Sequence, residues 1–264
     1  MSKLRLIVLI IASIYVVFVL PLVILEIIQS SVYILIGIIL FAIYYFTLRL
    51  EKVNLLRISK IYLDECDPLK YITEYKKYLS NFIQAKTNKY LNEITISLAY
   101  LSLGELGEAK NILDDLVEFE PNFSPPLRFW YYKAWIYYFE ETKELERIKT
   151  LINQVKELID IIPLKFKTQL ISNYNQIIAR YYILANIHLN LAEQEFSKIF
   201  RANFPKFNVV VNVYYLGLIA YKQTDYKRAL EYFRSVAKNG NKLSVVKKAN
   251  EYIEKINEEI RKEF

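Results

Sequence analysis

The chain is poor in the residues from which most active sites are built. Among 264 residues there are one histidine, one cysteine, one methionine and five glycines. The lone His188 excludes histidine-based zinc sets such as H-E-x-x-H. It lies in "LANIHLNLA", where the spacing predicts a core or half-exposed place on a helix. The lone Cys66 excludes an intrachain disulfide, and its neighbours Asp64, Glu65 and Asp67 disfavour the thiolate a nucleophile needs. So few glycines leave little material for sheet turns or phosphate-cradling loops, and neither G-x-x-x-x-G-K-S/T nor G-x-G-x-x-G occurs. Asp114 and Glu118 share a helix face, but no second carboxylate cluster completes an oxygen shell, so a solvated face is expected there and no metal. No cofactor and no catalytic residue is predicted, and the long runs of helical period point to an all-α chain.

Charge is also scarce at the front. Residues 1–48 carry only Lys3, Arg5 and Glu26. Between Arg5 and Glu26, "LIVLIIASIYVVFVLPLVIL" makes a helix of about 30 Å, the thickness of a hydrocarbon core. Val32 to Leu48, "VYILIGIILFAIYYFTL", supplies a second, shorter apolar run. One helix over both would be about twice as long as a bilayer is thick. The spacing therefore predicts a transmembrane helical hairpin over residues 1–50, with spans at about 6–25 and 32–48 and a turn at Glu26–Ser31. Pro21 is tolerable inside the first span, where a neighbouring helix can satisfy the freed carbonyl. A cleaved signal peptide is disfavoured by the long apolar core and the lack of an A-x-A-like site. A buried soluble hairpin would need partners around every face.

Flanking charge sets the orientation. Lys3 and Arg5 precede the first span, and Arg49, Lys52, Arg57 and Lys60 follow the second, while the turn between holds only Glu26. Lys and Arg resist translocation, so both termini and the remainder of the chain are expected on the cytoplasmic side of a bacterial or archaeal inner or plasma membrane. The four basic residues, with Lys70, Lys76 and Lys77 nearby, suit contact with anionic headgroups. The overall charge of +7 is spread rather than clustered, so no nucleic acid is expected as a partner.

Residues 51–264 read as paired amphipathic helices. In "NKYLNEITISLAYLSLGELGEAKNILDDLVEFEPN" apolar residues recur up to Leu103, a Gly-containing turn follows, and a second helix runs to Phe119 before Pro121. "VYYLGLIAYKQTDYKRALEYFRSVAKNGN" repeats the arrangement, with Thr224 in place of the turn glycine and Asn241 in place of the closing proline. Pro125–Pro126, Pro163 and Pro205 open the intervening and final pairs. Upstream, Asp67 is a fitting N-cap with Pro68 at the first helical position. Lys242 to Phe264 carries Lys247, Glu251, Lys255 and Glu259 in alternating sign every four residues, as a solvated face does.

The two clearest units, 90–123 and 210–243, resemble tetratricopeptide repeats. Ile96, Tyr100, Gly104, Ala109, Leu113, Leu116 and Pro121 fall on that pattern, as do Leu216, Gly217, Ala229, Phe233 and Val236. The resemblance implies an α-solenoid of helix–turn–helix pairs closed by a C-terminal capping helix. It further implies a concave surface from the first helix of each pair: Leu91, Ile94, Leu98 and Leu101, then Val211, Tyr214, Leu218 and Tyr221. Where some members carry Lys and Asn to clamp a partner's C-terminal carboxylate, this chain has Ile94, Leu98, Tyr214 and Leu218, so that clamp is not expected. The apolar row is either an exposed strip for a hydrophobic partner segment or is buried by tight curvature. Within the aromatic block Phe129–Phe139, Trp130 and Trp135 serve either as core or as binding anchors. The functional expectation is a membrane-tethered, non-enzymatic scaffold that recruits a protein partner. The alternative is an accessory subunit of a membrane transport or secretion complex, whose hairpin packs on other membrane subunits through small residues such as Ser13, Gly37 and Ala42.

Overall fold

The computed structural model describes residues 3–24, 30–81, 86–201 and 203–262, and every regular element among them is helical. In chain order these are α1 (Lys3–Ile24), α2 (Ser30–Leu63), α3 (Pro68–Ser80), α4 (Lys86–Leu103), α5 (Leu106–Asp115), α6 (Pro125–Thr142) and α7 (Leu145–Ile161). Then follow α8 (Leu164–Ala185), α9 (Leu189–Ser197), α10 (Lys206–Lys222), α11 (Tyr226–Asn239) and α12 (Ser244–Lys262). They form two compact units, Met1–Lys60 with Thr73–Ala85, and Ile61–Ile72 with Lys86–Phe264.

In the first unit α1 folds back beside α2. Arg5 grips Glu51 through two contacts, Nε to Oε1 at 3.1 Å and Nη2 to Oε2 at 2.8 Å. Such paired contacts fix geometry as well as charge. The stretch Ile34–Leu63 of α2 is long and apolar enough to cross a membrane, and 6% of its most apolar window is buried. A core helix of a soluble protein would be mostly covered; here Ile34, Ile38, Phe41 and Tyr45 all stand exposed. The apolar stretch described in α1, Arg5–Val17, is shorter. Of the expected turn at Glu26–Ser31, residues 26–29 lie outside the described residues and Ser30 already opens α2.

The expected break after residue 50 is not a break in structure. Helix α2 runs on through "RLEKVNLLRISKIYL" to Leu63. Charge ends an apolar span, but Arg, Glu, Lys and Leu are all good helix formers and no Gly or Pro interrupts them. The compact units accordingly divide after Lys60 rather than at residue 50. Arg49, Lys52, Arg57 and Lys60 are all exposed. At 100° per residue they share one side of α2, and Glu51 takes the side facing α1.

In the second unit consecutive helices pair as α4 with α5, α6 with α7, α8 with α9, and α10 with α11. Prolines set the starts: Pro125 opens α6 after Ser124, and Pro163 and Pro205 are the N-cap residues of α8 and α10. Asp67 caps α3 as its position predicts, accepting the Lys70 backbone N–H at 3.0 Å, and Asp225 does the same for Arg228 N–H at 3.1 Å. The repeat positions Ala109, Leu113, Ala229, Phe233 and Val236 are fully buried. Gly217 lets α10 approach the Phe233 ring, which would lie 2.7 Å from a Cβ placed there.

Two local expectations are corrected. Helix α5 ends at Asp115 rather than Phe119, and Val117–Asn122, including Pro121, forms a 3-10 turn instead. His188 is not on a helix. Asn186, left-handed at φ 58°, ends α8, and His188, also left-handed at φ 46°, is the exposed residue that precedes α9.

Helix α12 does more than cap the last pair, for it packs on α4 as well as on α11. The turn ahead of it clasps the α2–α3 turn. Asn241 Nδ2 donates to the Glu65 carbonyl at 2.9 Å, Lys242 Nζ lies 2.8 Å from Asp67, and the Lys242 N–H donates to Cys66 O at 3.3 Å. Asn241 sits at φ 50°. This conformation suits Asn and is closed to the proline that would end a regular repeat. Lys248 of α12 is ion-paired with Glu141 of α6. The first and last elements of this unit therefore meet.

Candidate functional site

The second unit holds a cavity of about 430 Å³. Its walls come mainly from the first helix of each pair, with Tyr62, Tyr71, Phe196 and Leu243–Val245 completing them, and each first helix contributes a stripe at three- and four-residue spacing, the periodicity of one helix face. Helix α6 presents Trp130, Lys133, Tyr137 and Glu141, and α8 presents Gln169, Asn173, Gln176 and Arg180. Helix α10 supplies Asn208, Val211, Asn212 and Tyr215, and α4 supplies Thr95, Leu98 and Ser102. Tyr62 closes one side: its hydroxyl is 2.6 Å from Ser102 Oγ, and its ring packs on Phe207 at 4.5 Å. Gln169, on the rim, is exposed.

Two cations share this space. The Arg180 guanidinium lies over Tyr137 at 3.5 Å and faces Tyr215 at 4.8 Å, and its Nη2 is 2.6 Å from Glu140 Oε2. Burial works against its charge, but Glu140, Tyr215 and Tyr137 together outweigh burial and keep Arg180 more firmly protonated than a free arginine. Tyr215 donates to Glu140 Oε1 at 2.6 Å, and burial, with Glu140 beside it, pushes this phenol well above its ordinary range. Glu140 is thus committed twice, and Glu141 is committed to Lys248.

Lys133 has no carboxylate within ion-pair distance among the described residues. Its Nζ donates to Asn173 Oδ1 at 2.5 Å and lies over the Trp130 ring at 4.7 Å and the Tyr137 ring at 5.3 Å. Asn173 is held in that orientation, because its own amide donates to the Gln169 carbonyl at 2.9 Å. Burial, with Arg180 adding repulsion, outweighs the pull of Tyr137 and lowers the Lys133 ammonium below the usual lysine range. Burial alone would raise the Tyr137 phenol, but Lys133 and Arg180 overcome it and bring the phenol below its usual range. With Arg180 offset by Glu140 and Lys248 by Glu141, the cavity is left with one lysine in excess. Ser102 is engaged with Leu98 O and Tyr62.

The expected concave row divides. Leu98 and Leu101 of α4 and Val211 of α10 line the cavity. Ile94 and Tyr214 are buried against neighbouring helices, as is most of Leu101, so these three offer no open strip. Leu218 and Tyr221 are half-buried against the C-terminal core, and Leu91 alone is well exposed. The inward faces of α4 and α10 are turned by about one residue from the expected row, with Thr95, Ser102, Asn212 and Tyr215 on the lining. The two tryptophans separate likewise. Trp130 lines the cavity, whereas Trp135 stacks on Phe139 at 5.3 Å within the core. Lys133, Asn173, Gln176 and Arg180 went unread in the sequence. Their signal was there: a lysine amid eight aromatic side chains in "FWYYKAWIYYF", and a polar stripe at 169, 173, 176 and 180.

No group of three or more metal-ligating side chains stands among the described residues. No protein family, curated protein or solved structure matches the chain.

Proposed function

We propose that this chain is a membrane-tethered, non-enzymatic scaffold of tetratricopeptide-like build. In this reading α1 and the first part of α2 cross the bilayer as a hairpin, both termini are cytoplasmic, and the helical array is presented to a protein partner at the inner face of the membrane. The observation that carries the reading is the bare apolar surface of α2, which leads directly into the exposed basic side of Arg49, Lys52, Arg57 and Lys60. Lipid chains suit the first part and anionic headgroups the second, at about 1 kcal/mol per basic residue. The Arg5–Glu51 grip supports it further, since it brings the flank ahead of α1 level with the flank behind the apolar part of α2. Paired helices with fully buried Ala109 and Ala229 at their crossings support the repeat reading. Tethering raises the local concentration of the array, so weak partner contacts suffice.

Alkaline carbonate washing of membranes tests the tether. The full chain should stay with the lipid pellet, as an integral protein does; release into the wash would refute two spans. One observation favours the alternative of an accessory subunit: a Cβ on Gly37 would meet nothing within 4 Å, which leaves a small-residue surface open to another helix. Gly37→Leu separates the two. A simple tether tolerates it, whereas specific packing within the membrane does not.

A further inference from the structure

We propose that the interior cavity binds a small organic carboxylate, with the carboxylate seated between Lys133 and Arg180 and an apolar body lying on Leu98, Val211 and Trp130. Neither the tether nor the partner of the array is needed for this inference, so either reading can fail alone.

Four observations carry it. The first is a cation without a carboxylate partner among the described residues: Lys133 is held at the cavity by an amide oxygen, the Tyr137 hydroxyl and two ring faces. An ammonium in such surroundings is costly unless something supplies the missing charge. The second is an unused donor. Arg180 Nε is buried and has no hydrogen-bond partner among the described residues, although guanidinium and carboxylate match each other in shape. The third is the charge count. Glu140 answers Arg180 and Glu141 answers Lys248, so one positive charge remains, which fits a monoanion rather than a phosphate dianion. The fourth is shape and lining. A volume of about 430 Å³ lies in the range of small-molecule sites. Lys133 of α6 and Arg180 of α8 give the lining its cationic groups, and Leu98, Val211 and Trp130 give it apolar surface, so a ligand with one charged end and one apolar end finds partners for both. Lys133 and Arg180, which lower the Tyr137 phenol, are the charges such an anion would meet.

The experiment uses the full chain in detergent with two probes, 4-phenylbutyrate and octanoate. The corresponding primary amides and inorganic phosphate at equal ionic strength are the controls. Readouts are the thermal midpoint and the tryptophan emission, since Trp130 lies on the cavity wall. Both carboxylates are expected to raise the midpoint and shift the emission, and the amides and phosphate to do neither. Lys133→Met should weaken carboxylate binding by about 10- to 100-fold, the usual worth of a charge-assisted hydrogen bond, without lowering the midpoint of the free protein. Because that variant could fold poorly, Asn173→Asp provides a second arm. It places a resident carboxylate beside Lys133, and should weaken the probes at least about tenfold while the free protein keeps or gains stability. Equal binding of the amides, an equal response to phosphate, no response to either carboxylate, or undiminished binding in both variants would each overturn the proposal.

Discussion

Gly217→Ala is the sharpest probe of how the last helical pair is packed. A Cβ at Gly217 would lie 2.7 Å from Cε1, 2.9 Å from Cδ1 and 3.1 Å from Cζ of Phe233, all closer than carbon atoms in contact. The ring has little room to move aside. It is fully buried, stacked on Tyr252 at 5.0 Å and 13°, and tilted against Tyr214 at 6.0 Å. Forcing a methyl group into such a site costs about 1–3 kcal/mol. Exchanging Gly for Ala inside a helix returns about 1 kcal/mol. The net expectation is a loss of up to about 2 kcal/mol, or a fall of several degrees in the thermal midpoint for a domain of this size. Gly107→Ala is the internal control, because it lies exposed on α5 with nothing within 4 Å of its Cβ. There only the propensity gain remains, and stability should rise by up to about 1 kcal/mol. Thermal unfolding followed by circular dichroism reads both. If Gly217→Ala stabilises as Gly107→Ala does, the close crossing of α10 on Phe233 is refuted.

Three further outcomes follow from single residues. Thr224 is a β-branched residue held left-handed at φ 59°, so Thr224→Gly should raise stability by about 1 kcal/mol in a denaturant titration. Asp67→Ala removes both an N-cap and the partner of Lys242, and should cost about 1–2 kcal/mol. Burial opposes the Asp67 charge, but the bonds from Lys242 and Lys70 overcome it and lower its pKa. That contribution is therefore full above the ordinary aspartate value of about 3.9 and fades as the pH falls through the lower folded value, so wild type and Asp67→Asn should converge in stability only in strong acid. Cys66 is fully buried, and burial raises its thiol above the ordinary range, so a maleimide should modify it quickly only after unfolding.

Local signals in the sequence were readable where one residue decides one event. Proline placed the starts of α6, α8 and α10, Asp67 announced the cap of α3, and Gly104 marked the turn between α4 and α5. Less readable were events decided by distant partners. Charge between Arg49 and Lys60 suggested a boundary, yet charge does not break a helix, and α2 ran through it. His188 sat in a run of helical residues, and only the left-handed turn at Asn186 took it off the helix. The expected apolar row was displaced for a similar reason. Polar side chains such as Asn173 and Arg180 look like a solvated face along the chain, yet they line the cavity of a unit in which α12 returns to α4. That return depends on Asn241, Lys242 and Lys248 meeting Glu65, Asp67 and Glu141, pairings more than 100 residues apart that no local pattern announces.

The central claim, a hairpin through the membrane with the helical array inside the cell, is tested most directly by cysteine accessibility. In a Cys66→Ala background, Ser31→Cys should react with a membrane-impermeant maleimide added to intact cells, and Lys227→Cys on α11 should react only after permeabilisation. Labelling of Lys227→Cys in intact cells would contradict the account.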